Sequence, residues 1–123
     1  MSKTILIADD DPEILRVLTL EFRSAGYDVI TARSGSEALE LMGRNRPDFM
    51  VLDNQMPEGD WVSVISRMKS VVGHAAIPVI ILTAHDSTAL RQKAMRLNAR
   101  AVFAKPFPPS AVLKEIQGII GNP

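Results

Sequence analysis

The sequence predicts an α/β domain of five βα units, with a parallel sheet covered by helices on both faces. Three observations predict it. Short apolar runs at residues 5–8, 29–31, 49–52, 79–82 and 101–103 alternate with longer stretches of helical period. Most of these runs are unbroken rather than alternating, as in strands buried on both faces. No linker or low-complexity stretch interrupts the order, so strand and helix repeat through one unit, which calls for right-handed crossovers.

Each element has its own justification. The first run leads into Asp11-Pro12, an N-cap followed by proline at the first helical position. Ile14, Leu15, Leu18, Phe22 and Ala25 then form an apolar stripe, and Gly26 stops it. After the second run, Ala38, Leu41 and Met42 give a shorter stripe. Pro47 ends what precedes the third run, and Pro78 does the same for the fourth. Val62, Ile65 and Met68 mark the third helix, and Leu90, Ala94 and Leu97 the fourth, with Asn98 as a left-handed cap. Pro108-Pro109-Ser110 introduces the last helix, whose stripe is Val112, Leu113, Ile116, Ile119 and Ile120.

Composition narrows the function. A chain of 123 residues is one domain with room for a core, so residues 1–123 are expected to form a single unit. There is no cysteine, which excludes disulfide scaffolds, thiol catalysis and cysteine-ligated zinc. Lys plus Arg and Asp plus Glu are both 14, so the basic excess of a nucleic-acid binder is missing. The apolar runs are too short to span a membrane, and the amino-terminal residues do not read as a secretory leader. The expected compartment is the cytoplasm.

In doubly wound sheets, ligands sit at the carboxyl ends of the strands. The residues just after the runs are therefore the informative ones. They are Asp9, Asp10 and Asp11 after the first, Asp53 after the third, Thr83 after the fourth and Lys105 after the fifth. Several carboxylates at one edge cannot all stay ionised without a cation. A hard divalent ion such as Mg2+, bound through oxygen, resolves the conflict. The acidic loop is no cradle for a free phosphate, but with a metal present the roles separate. A carboxylate can act as a nucleophile towards phosphorus. A lysine can pair with a phosphoryl oxygen as a point charge, and a threonine hydroxyl can donate to another. Asp11, beside Pro12, reads as a helix cap rather than a ligand.

These residues carry a resemblance. ILIADDD at the first strand end, VLDNQMP around Asp53, ILTA ending at Ala84 and AKPF ending at Phe107 occur in this order. Together they make the chain similar to the receiver domains of two-component response regulators, chemotaxis regulators among them, from residue 5 to about residue 120. The resemblance implies a flavodoxin-like sheet of order 2-1-3-4-5. It implies that Asp53 accepts a phosphoryl group from a sensor histidine kinase or phosphotransfer protein, with Thr83 and Lys105 completing the site. It implies Mg2+ held by Asp10, by Asp9 partly through water, by Asp53 and by the backbone carbonyl of Gln55. The Lys105–Pro106 bond is expected to be cis. The expected role is a switch with self-catalysed phosphoryl transfer only, not an enzyme with an external substrate. Its readout face would be the fourth helix, fifth strand and fifth helix, where a downstream protein docks. No output domain fits within these residues, and neither nucleic acid nor membrane is an expected direct partner.

Several positions depart from the family pattern. Val102 stands where an aromatic residue usually reports phosphorylation; Phe103, next door, should point to the other face. Trp61 replaces a common glycine and is read either as a packing residue or as a side chain that covers part of the site or offers a partner contact. Gln55 and His85 occupy variable positions that flank the phosphoryl group in the family. Arg91, Lys93, Arg96 and Arg100 make the fourth helix and its exit basic, either a solvated face or part of a docking surface. One alternative reading is a degenerate receiver that binds partners without phosphorylation. An aspartate-dependent phosphatase is disfavoured because Gln55 stands where a second acid is needed, and a flavin protein because the first loop is acidic.

Overall fold

The structure is a computed structural model and describes residues 2–123. Strands β1 (Thr4–Ala8), β2 (Asp28–Ala32), β3 (Phe49–Asp53), β4 (Val79–Thr83) and β5 (Ala101–Ala104) alternate with helices. The helices are α1 (Pro12–Ser24), α2 (Gly35–Asn45), α3 (Trp61–Lys69), α4 (Thr88–Arg96) and α5 (Pro109–Ile120). All strand pairs are parallel, and the order is β2-β1-β3-β4-β5. This is the doubly wound, flavodoxin-like arrangement.

The sheet separates two cores because neighbouring side chains on a strand point to opposite faces. Leu6 and Ala8 of β1, Met50 and Leu52 of β3, and Val79 and Ile81 of β4 join residues of α2, α3 and α4 on one side. Ile5 and Ile7, Phe49 and Val51, and Ile80 and Leu82 join residues of α1 and α5 on the other. Double-sided burial explains the unbroken apolar runs.

The helix ends follow the local chemistry. Asp11 caps α1, its side chain accepting from the Glu13 N–H at 2.9 Å. Gly26 follows at φ +104, and Asn98 closes α4 at φ +64, both in the left-handed region that halts a helix. Ser34, Asp60 and Ser87 cap α2, α3 and α4 with their side chains.

Two readings of α3 are sharpened. Val62 is half-buried and packs against the core, and the fully inward residues are Trp61, Val64, Ile65 and Met68. Of the readings open for Trp61, packing is the one observed: it is 4% exposed, belongs to the core on the α2–α3–α4 side and so offers no contact surface. This helix carries apolar residues at four of its first five positions, so spacing alone could not say which face turns inward. Val102 and Phe103 do lie on opposite faces, the first against the α2–α3–α4 core and the second against the α1–α5 core. Among the described residues no helix is long and apolar enough to cross a membrane.

Candidate functional site

The register of the sheet gathers the strand-end residues. β1, β3, β4 and β5 all end at one edge. Ala8 lies beside Leu52, Asp53 beside Leu82 and Thr83 beside Ala104. Asp9, Asp53 and Thr83 are the buried polar residues among the described core. Oxygens of Asp9, Asp10 and Asp53 all lie within 4.8 Å of one another. The Lys105 Nζ reaches into this cluster, 2.9 Å from Asp9 Oδ2 and 3.3 Å from Asp53 Oδ1. The Lys105–Pro106 bond is cis.

Each carboxylate has a different share of the local donors. Each Asp9 oxygen already has a donor: Oδ1 accepts the Asp11 N–H at 2.9 Å while Oδ2 pairs with Lys105. Asp10 is exposed and Asp53 is reached from solvent only slightly. The Gln55 N–H lies near enough to the Asp53 carboxylate to favour its charged form. The Thr83 hydroxyl accepts the His85 N–H at 3.0 Å, which fixes Thr83 Oγ1, while the His85 ring stays exposed. Asp11 caps α1 and is not among the clustered carboxylates.

The charge balance has a chemical consequence. Burial, and next the Asp9 carboxylate, push the Asp53 carboxyl up to about 6, although Lys105 and the Gln55 N–H pull it down. Burial pushes the Lys105 ammonium down, but Asp9 and Asp53 outweigh it and its pKa ends above the ordinary lysine value. Lys105 therefore stays charged at neutral pH while Asp53 titrates near it. One ammonium faces three carboxylates, so negative charge is left over. Hard oxygen donors in surplus, two of them not fully used, fit a small divalent cation of the Mg2+ kind.

Other sequence candidates fall outside the site. The exposed Arg91 pairs with Asp86 at 2.8 Å, and Lys93, Arg96 and Arg100 are also exposed. His74 is half-buried in the loop after α3, its Nδ1 without a partner among the described residues. Sequence reasoning missed the Asp9–Lys105 pair, because residues 96 positions apart meet only through strand order.

The comparisons with known proteins agree with this geometry. The family model of the response regulator receiver domain matches residues 5–117. Sporulation initiation phosphotransferase F of Bacillus subtilis is 36% identical over 107 residues, covering 87% of this chain and 85% of that protein. The alkaline phosphatase synthesis transcriptional regulatory protein PhoP of the same organism is 33% identical over 120 residues, 98% of this chain and 49% of its own length. The chain thus spans about half of that relative. The chemotaxis protein CheY4 of Vibrio cholerae superposes with a TM-score of 0.91 at 27% identity, covering 98% of this chain and 100% of that one. The receiver domain of a Pseudomonas aeruginosa sensor histidine kinase, solved with a magnesium ion coordinated in its active site cleft, gives 0.87 at 26% identity, with 99% and 100% coverage. With strand order, strand-end residues and family match in agreement, the chain belongs to the response regulator receiver domains, the switch modules of two-component signalling.

Proposed function

We propose that this chain is a phosphorylation-operated switch with Asp53 as the phosphoacceptor. The observation that carries the reading is the cluster itself: a buried Asp53 beside Asp9 and Asp10, with Lys105 against it. An oxygen of Asp53 bonds to phosphorus as the P–N bond of a phosphohistidine on a sensor kinase or phosphotransfer protein breaks, and the imidazole leaves. Asp10 and Asp53, whose oxygens are not fully used, would hold Mg2+ together with the Gln55 carbonyl, and Asp9 would act partly through water. Bound there, Mg2+ would supply neutralisation of charge developing on the phosphoryl oxygens. Lys105 pairs with a phosphoryl oxygen while keeping its hold on Asp9. Thr83, buried at the end of β4, donates its hydroxyl to another, which redistributes two conformations.

The redistribution is read out on α4, β5 and α5 by a downstream protein, in the cytoplasm. Val102 gives that face an aliphatic residue where the family pattern has an aromatic one, so its response rests on Thr83 and α4. The degenerate alternative, partner binding without phosphorylation, gains nothing from the site, whose full set of residue types is present. The test is chemical. After exposure to a phosphohistidine-bearing donor protein, borohydride reduction of an acyl phosphate leaves homoserine at the acceptor. Homoserine at position 53 supports the reading, and labelling elsewhere or none contradicts it.

A further inference from the structure

The first three N–H groups of a helix have no partner within it. In α2 the Glu37 N–H is capped by the Ser34 hydroxyl at 3.1 Å. The other two are met from outside: the Gly35 N–H donates to the Pro57 carbonyl at 3.3 Å and the Ser36 N–H to the Glu58 carbonyl at 2.8 Å. Both acceptors belong to the loop that leaves Asp53 and carries Gln55. The loop can present them because Glu58 and Gly59 take positive φ values of 53° and 108° in succession, which turns the chain back towards α2.

The contact is too close for any side chain. A Cβ built on Gly35 would lie 2.7 Å from the Gly59 carbonyl carbon and 3.0 Å from its Cα, with the Gly59 oxygen nearer still. These neighbours are backbone and cannot swing aside. Gly43 on the same helix has open space where a Cβ would go. The demand for glycine at position 35 is therefore set by the loop and not by the helix.

We infer that Gly35 is a positioning residue for the metal site: the amino end of α2 clamps residues 57–59 and thereby sets the Gln55 carbonyl and the Gln55 N–H that faces Asp53. This deepens the phosphoacceptor reading and rests on it. The coupling is reciprocal: if the clamp favours metal binding, bound metal must tighten the clamp.

The test compares Mg2+ affinity by calorimetry in the wild-type chain, Gly35→Ala and Gly43→Ala, with circular dichroism reporting the fold. Gly35→Ala should lose about tenfold or more in Mg2+ affinity while remaining folded, the size typical of disturbing the support of a metal ligand. Gly43→Ala should bind as the wild type does. A loss of stability alone would leave the affinity of the folded chain unchanged, so equal affinity in folded Gly35→Ala overturns the inference. Should Gly35→Ala not fold, amide exchange of the wild-type chain decides. Mg2+ should slow exchange at Ser36, and an unchanged rate in a chain that binds Mg2+ overturns the clamp. Absence of any Mg2+ binding by the wild-type chain overturns the reading beneath as well, so the two failures are distinguishable.

Discussion

Replacing Asp53 by Asn should stabilise the metal-free chain, and the gain should grow with pH. The Asp53 side chain is 7% exposed at the end of β3. Burial first, and the Asp9 carboxylate second, raise its pKa from 3.8 to about 6. A raised folded pKa means that the native state holds the proton more tightly than the unfolded chain. The stability this contributes is full below the unfolded value and is lost as pH rises through the folded one. The window here runs from 3.8 to about 6. At about 1.36 kcal/mol per pKa unit, the ionised carboxylate costs the fold about 3 kcal/mol at neutral pH. Asn keeps the shape without the charge, and Lys105 keeps its pair with Asp9. Urea unfolding with a chelator present should therefore place Asp53→Asn about 2–3 kcal/mol above wild type at about pH 7.5 and within about 1 kcal/mol of it near about pH 4.5. Mg2+ at about a hundred times its dissociation constant should return about 2.7 kcal/mol to the wild type and much less to the variant. A less stable variant at the higher pH, or a gain independent of pH, would refute the reasoning. The Lys105–Asp53 pair would then outweigh the burial of the charge.

Three further outcomes follow from the same geometry. Asp10→Asn should weaken Mg2+ binding by about tenfold or more in calorimetry, with stability within about 0.5 kcal/mol because the residue is exposed. Lys105→Met leaves the buried Asp9 and Asp53 uncompensated; denaturation should show a loss of about 3 kcal/mol at neutral pH without metal, smaller near about pH 4.5, where Asp53 is protonated. Trp61→Ala removes a core side chain and should cost about 3–5 kcal/mol in urea unfolding. A neutral result would put the ring back on the surface.

Much of this fold is legible in the chain because double-sided burial writes long apolar runs. Thr4, Asp28 and Thr83 were invisible as strand residues because a ladder of backbone hydrogen bonds is indifferent to side-chain polarity. Asp53, Thr83 and Lys105 could be named because a doubly wound sheet puts strand ends together, so position along the chain stands in for position in space. That shortcut fails for partners on helices and loops. Nothing local distinguishes Trp61 from Val62 as the inward residue of α3; both meet the core that holds Ala38 and Met42 of α2, and only Trp61 is buried in it. The meeting of Gly35 with Gly59 leaves no periodic trace, since glycine contributes neither to an apolar stripe nor to a charge pattern.

The most direct measurement is intact-protein mass after incubation with a small phosphodonor, with and without Mg2+, in wild type and Asp53→Asn. The expected result is a gain of one phosphoryl group by the wild type only when Mg2+ is present, and none by the variant. A folded wild-type chain that gains nothing with Mg2+, or an Asp53→Asn chain that gains as much, would contradict the assignment of Asp53 as the acceptor.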